Sequence, residues 1–196
     1  MADEMIDKGS ASAQAGSSAE SIGAADVRAA HDMAAFVQEC PSMFHAAASL
    51  RRRLDAAGFA YLPESKPWEV RRGGCYYTVR NNSSVIAFKV GARLDGYRFQ
   101  LTASHSDSPT YKVKAAPELS SPSGYMRLNV EAYGGVMDHT WFDKPLSVAG
   151  RVLVRLGDRV ESRLVAPDED LLLIPRVPIH LDREANSRFV PNRAVD

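Results

Sequence analysis

The stretch GGCYYTVRNNSSVIAFKV, residues 73–90, decides the fold class of this 196-residue chain. Cys75–Arg80 and Val85–Val90 are rich in the aromatic and β-branched residues that favour strands. The Asn-Asn-Ser sequence at 81–83 lies between them and is typical of a turn. We therefore predict two neighbouring strands here, and a further strand at Trp68–Val70 before the glycine pair.

Two helices are predicted before these strands. Ala24–Gln38 has apolar residues at helical spacing, and the Cys-Pro pair after it interrupts the helix, because proline disfavours helical backbone in the preceding residue. Ser42 is a suitable N-cap for a second helix, and Gly58 is a natural stop beyond it. Residues 1–23 are rich in Ala, Ser and Gly without an apolar period, so we expect a disordered leader.

The chain after the Asn-Asn-Ser turn is predicted to be mostly β. Tyr97–Ala103 follows an Asp-Gly turn and has the apolar pattern of a buried strand. Further strands are expected at Lys112–Lys114, Met126–Tyr133, Val148–Leu156 and Arg159–Val165, with a short apolar run at Leu171–Ile174. Helices first and strands afterwards indicate a mixed α/β protein.

Composition and charge narrow the function classes. Hydrophobic residues make up 45% and charged residues 24%, as in an average soluble globular protein. The 24 basic residues equal the 24 acidic ones, and nucleic-acid proteins usually have a basic surplus, so we expect no nucleic-acid partner. No apolar run reaches the roughly 20 residues that cross a bilayer, and no secretory signal is recognisable. We therefore expect no membrane partner and a cytoplasmic location.

His105 and Asp107 form the most informative chemical pattern. In an extended segment, residues i and i+2 point to the same side, so the two side chains can meet. A histidine that binds a metal usually donates its other ring N–H to a carboxylate, which the aspartate supplies. A plain Asp-Ser-Pro turn beside a hydrogen-bonded histidine is the commoner explanation of this spacing, and the residues alone leave both interpretations open.

The remaining ligands of a metal site are not visible in the sequence. A zinc site needs three or four ligands, yet the chain has neither an H-E-x-x-H helix nor an adjacent Glu-Glu pair. Cys40 and Cys75 have no CxxC spacing, which argues against a cysteine-based zinc site and against a disulfide framework. His180 lies in an apolar stretch, where a half-buried packing histidine is the expectation from the residues alone.

Seven blocks of sequence together resemble the aspartyl aminopeptidases, in that family's order. They are PSMFHA (41–46), GGCYYTVRN (73–81), SHSDSP (104–109), VEAYGG (130–135), TWFDKPL (140–146), AGRV (149–152) and IPRVPIHLDR (174–183). The resemblance implies a zinc exopeptidase that removes acidic residues from peptide N-termini. It also implies the first lobe of an α/β peptidase domain at residues 24–108, followed by a mostly β inserted dimerisation domain at 109–196 that we expect to be incomplete. The resemblance further implies a homo-oligomer.

The resemblance also assigns roles to three residues. His105 matches the family's first zinc ligand, Asp107 matches the carboxylate that holds this imidazole, and His180 matches a histidine offered to the neighbouring subunit's active site. Two zinc ions per complete subunit are implied, with the other ligands and a catalytic Glu expected beyond Asp196. We therefore expect these 196 residues alone to hydrolyse nothing, and an inactive dimerisation or assembly module is the alternative.

Overall fold

The structure is a computed structural model that describes residues 22–93, 95–96, 98–121 and 124–188. The chain divides into two compact units, residues 1–35 and 36–196. Residues 1–21 of the predicted leader, Tyr97 of the predicted buried strand, and residues 189–196 lie outside the described residues. The domain boundary at residue 108 stays a prediction.

Two helices open the described chain. Helix α1 (Ala24–Glu39) begins where the Asp26 carboxylate accepts a hydrogen bond from the Gly23 N–H at 2.8 Å, and it has no buried residue. Helix α2 (Met43–Ala56) has the predicted N-cap, Ser42, whose hydroxyl accepts a hydrogen bond from the His45 N–H. None of the described helices combines the length and the apolar character that crossing a membrane requires.

The predicted glycine stop of α2 is confirmed. Gly58 has a φ of +78°, the left-handed conformation that glycine adopts without strain. Its N–H donates to the carbonyl of Asp55 at 3.0 Å, and the Phe59 N–H donates to the carbonyl of Leu54 at 3.0 Å. This pair of bonds is a Schellman motif, which satisfies two carbonyls at the helix end.

The strands form three small sheets. The first has the order β1-β2-β3, with β1 parallel and β3 antiparallel to β2, and the other two are the antiparallel pairs β4–β5 and β6–β7. Their bounds are β1 Ala60–Tyr61, β2 Cys75–Arg80, β3 Ser84–Lys89, β4 Thr110–Leu119, β5 Arg127–Tyr133, β6 Gly150–Leu156 and β7 Arg159–Val165, with a 3-10 turn at Asp138–Thr140. The predicted mixed α/β class is confirmed.

The core of the larger unit lies along β2. Four consecutive β2 residues, Tyr76 to Val79, are buried, so both faces of this strand are covered. Tyr77 is only 1% exposed, and its hydroxyl donates to the Asp55 carboxylate at 2.7 Å. On β6, the Arg151 guanidinium donates to the Asn81 carbonyl at 2.9 Å and lies 4.2 Å from the Phe44 ring centroid. These contacts join α2, the β2–β3 turn and β6.

Two strand predictions are wrong. Trp68–Val70 is irregular: the Trp68 indole N–H donates to the Pro63 carbonyl at 3.0 Å, and its ring stacks on Phe88 of β3 at 6.3 Å. Residues 98–103, the described part of the predicted buried strand, pair with no strand among the described residues, and Phe99 and Leu101 are 84% and 89% exposed. A strand forms only where a neighbouring strand takes its backbone hydrogen bonds, and an apolar run does not guarantee such a neighbour.

Candidate metal centre

The segment that carries His105 lies between β3 and β4 and is held at two points. The Ser106 hydroxyl donates to the carbonyl of Ser83 in the β2–β3 turn at 2.9 Å. At its far end, Gly134 follows β5 in the left-handed conformation, with φ +73°, and a Cβ built there would lie 3.6 Å from the Pro109 Cα. The segment is therefore fixed to one sheet by a hydrogen bond and packed against the end of another.

His105 and Asp107 meet as their spacing predicts. The His105 Nδ1 lies 2.8 Å from the Asp107 Oδ1. Because an ionised carboxylate only accepts hydrogen bonds, Nδ1 must carry the proton, and in the neutral imidazole the lone pair then lies on Nε2. The His105 side chain is 91% exposed, whereas that of Asp107 is 27% exposed. The aspartate is thus partly shielded, whereas the imidazole, including Nε2, is open to solvent.

A third residue, Tyr133, completes the cluster. Its hydroxyl, at the end of β5, donates to the Asp107 Oδ2 at 2.5 Å. The hydrogen bonds from Tyr133 and from His105 both stabilise the charged carboxylate, and they lower the pKa of Asp107 below its usual value. The same contact raises the pKa of Tyr133, because a tyrosinate would face the carboxylate charge.

This donor set fits one ligand position of a zinc site. A histidine whose Nδ1–H is held by a carboxylate presents a basic, oriented Nε2, which is the usual arrangement of a zinc-binding histidine. Among the described residues, however, no group of three or more His, Cys, Asp or Glu side chains is placed to hold a metal ion. The described chain therefore offers one candidate ligand, His105, and a carboxylate placed to support it.

His180 lies in a different part of the larger unit. It belongs to a turn in which the N–H groups of Leu181 and Asp182 donate to the Pro178 carbonyl at 2.8 and 3.1 Å. Its side chain is exposed. Within the described part of the chain, no hydrogen bond or ion pair links it to His105 or Asp107, so its assigned role in a neighbouring subunit stays a prediction.

The residue that sequence reasoning missed is Tyr133. It lies in one of the blocks that carry the family resemblance, but it is 26 residues from Asp107 and its partner depends on how β5 pairs. Tyr133 is opposite Thr110 in the β4–β5 register, three residues beyond Asp107. A tyrosine at a strand end is too common a pattern to indicate such a contact without that register.

Comparison with known proteins decides the family. A family model described as aminopeptidase I zinc metalloprotease (M18) matches residues 36–196. The chain belongs to the M18 aminopeptidase family. A probable M18 family aminopeptidase 2 from Ectopseudomonas mendocina is 46% identical over 159 residues, which are 80% of this chain and 37% of that protein. The chain thus spans a little over a third of the length of the curated M18 relatives it matches.

Solved M18-type structures share the fold. In the cryo-EM structure of the Ape4 and Nbr1 complex, the similar chain is 42% identical, with a TM-score of 0.79 over 83% of this chain and 32% of that one. The mApe1 dodecamer of S. cerevisiae is 28% identical, with a TM-score of 0.65 over 76% of this chain and 36% of that one. The predicted family membership is confirmed, and the family is one of zinc metalloproteases.

Proposed function

We propose that this chain supplies the first third of a zinc aminopeptidase that removes acidic residues from the N-termini of peptides. The observation that carries the proposal is the His105–Asp107 contact of 2.8 Å, with the second ring nitrogen left facing outward. The family membership supports the peptidase activity and the metal. The acidic preference and the number of two zinc ions rest on the resemblance to the aspartyl aminopeptidases.

Each proposed role follows from what the side chain can do. His105 binds one zinc ion through Nε2, and Asp107 keeps the ring in the tautomer that leaves this nitrogen free. When bound, the zinc ions supply Lewis acidity to the scissile carbonyl and to a water molecule. His180, as the resemblance implies, stabilises charge on the oxyanion in a neighbouring subunit. The other ligands are expected outside the described residues.

The proposed domain arrangement assigns residues 24–108 to the peptidase lobe and 109–196 to the inserted dimerisation domain. Its support is that β4–β5 and β6–β7 are antiparallel pairs, while β1–β3 and α2 form the α/β part. The solved relative from S. cerevisiae is a dodecamer, and we extend a homo-oligomeric state to this protein as a proposal. A cytoplasmic location belongs to the same proposal.

The test compares dipeptide-like substrates with different first residues. The full-length product of the gene should cleave Asp- and Glu-p-nitroanilide and lose this activity when a chelator removes the metal. Leu- and Lys-p-nitroanilide, matched in leaving group, should be poor substrates. Preference for a neutral or basic first residue would refute the acidic specificity, and full activity after complete metal removal would refute the zinc mechanism.

The second candidate function is an assembly module without activity. The β6–β7 pair favours it, because Leu153, Val160 and Leu164 are 66%, 60% and 43% exposed and the register places them on one face of the pair. Exposed apolar side chains on one sheet are typical of a surface that a partner covers. If the 196-residue chain forms a concentration-dependent oligomer in sedimentation and cleaves none of the four substrates, this function describes the chain by itself.

A further inference from the structure

Asp107 is held from both sides. One carboxylate oxygen, Oδ1, accepts the His105 Nδ1–H at 2.8 Å, and the other, Oδ2, accepts the Tyr133 hydroxyl at 2.5 Å. The carboxylate plane of an aspartate otherwise rotates over a broad range, because the torsion that turns it has no sharp staggered minima. Two donors on opposite oxygens fix this rotation. The orientation of the carboxylate that meets His105 therefore depends on Tyr133.

The strand β5 gives Tyr133 a fixed base. Its backbone pairs with Thr110 at the start of β4, and Gly134 turns the chain immediately beyond it against Pro109. The tyrosine is therefore anchored by the sheet that follows the His105 segment, whereas Ser106 is anchored to the β2–β3 turn. Tyr133 contributes a rigid contact to a segment that has no regular secondary structure of its own.

We propose that Tyr133 is a positioning residue for the metal ligand His105, acting through Asp107. The hydroxyl keeps the Asp107 carboxylate turned toward Nδ1 of the imidazole, and the carboxylate keeps the imidazole in the Nδ1–H tautomer with Nε2 free for the metal. This inference rests on the proposed function, in which His105 binds zinc. Tyr133 touches neither the metal nor the substrate in this assignment.

Tyr111 provides a matched control on the same hairpin. Its hydroxyl also donates to a carboxylate at 2.5 Å, that of Asp138. Tyr111 is opposite Ala132, so its side chain lies on the sheet face opposite to that of Tyr133. Tyr133→Phe and Tyr111→Phe therefore remove the same chemical group from the same hairpin. Only the first touches Asp107.

The first measurement is zinc affinity, by competition with a chelator, in the full-length product of the gene. We expect Tyr133→Phe to weaken zinc binding about 10-fold, the lower end of the range for residues that support a metal ligand. Tyr111→Phe should bind zinc like the wild type, and His105→Ala should lose the ion that His105 holds. Equal zinc affinity in Tyr133→Phe and wild type would overturn the proposal.

The second measurement needs no metal. Long-range ¹H–¹⁵N spectra of ¹⁵N-histidine-labelled 196-residue chain report the tautomer of His105. We expect the Nδ1–H form in the wild type and in Tyr111→Phe, and a growing Nε2–H population in Tyr133→Phe. An unchanged tautomer in Tyr133→Phe would contradict the positioning role. If His105→Ala keeps all its zinc, the proposed function itself fails, whatever the tautomer shows, so the two failures are distinguishable.

Discussion

Replacing Tyr77 by Phe should separate the contribution of one hydroxyl to the free energy of unfolding from that of a buried ring. The side chain is 1% exposed and its hydroxyl donates to Asp55 at 2.7 Å. Tyr77→Phe keeps the ring and removes the donor, while Asp55 is exposed enough for water to replace it. We therefore expect a loss of about 1.5–2 kcal/mol, the lower end of the range for a hydrogen bond to a charged group. Tyr77→Ala, which also empties the site, should cost about 3–5 kcal/mol.

The pH dependence of the stability difference between wild type and Tyr77→Phe provides a second test. Burial and the bond to Asp55 raise the pKa of Tyr77. The folded state then holds its proton to higher pH than the unfolded state, so the stabilisation is complete below the tyrosine's usual pKa and declines as the pH rises above it. Phenylalanine has no such titration, and the gap between wild type and Tyr77→Phe should narrow above about pH 10.

Urea unfolding at several pH values measures both effects through the midpoint and slope. Tyr61→Phe is the control: Tyr61 is exposed, and its hydroxyl has no hydrogen-bond partner in the described part of the chain. This control should match the wild type. A Tyr77→Phe variant as unstable as Tyr77→Ala, or a gap that widens above pH 10, would refute the assignment of the hydroxyl's role.

Three further substitutions test single features of the fold by the same unfolding measurement. Thr78→Val should stabilise the protein by about 1 kcal/mol, because the buried Thr78 hydroxyl finds no hydrogen-bond partner among the described residues; a loss of stability would contradict this. Ser42→Ala should lower the free energy of unfolding by about 1 kcal/mol, because the N-cap hydrogen bond to His45 is lost. An unchanged stability would contradict this capping role. Gly134→Ala should cost about 1–2 kcal/mol because its φ is +73°, whereas Gly135→Ala, with open space around it and no positive φ, should cost less.

Local chemistry made part of the fold predictable. Three features that depend on a few neighbouring residues form as predicted: the N-cap at Ser42, the glycine stop at Gly58 and the strand Arg159–Val165. Strand β1 was missed because it is only two residues long and pairs with a strand more than a dozen residues away. The irregular register between Val113 and Glu118 likewise depends on how β4 pairs with β5, where Val113 is opposite Val130 and Glu118 is opposite Leu128.

Aromatic residues misled the prediction at Trp68. Their strand preference reflects packing on a half-buried sheet surface, and Trp68 satisfies it from outside the sheet by stacking on Phe88. The candidate site shows the same division. The His105–Asp107 contact joins residues two apart and was predictable from spacing. The Tyr133–Asp107 contact joins residues 26 apart, and only the pairing of β5 reveals it.

Zinc content of the full-length product of the gene, measured by elemental analysis alongside His105→Ala and His31→Ala, tests the central claim most directly. His31 lies on the exposed helix α1 and controls for the loss of a surface histidine. We expect bound zinc in the wild type and in His31→Ala, and at least one zinc ion fewer per subunit in His105→Ala. Equal zinc in all three proteins would contradict the assignment of His105 as a metal ligand.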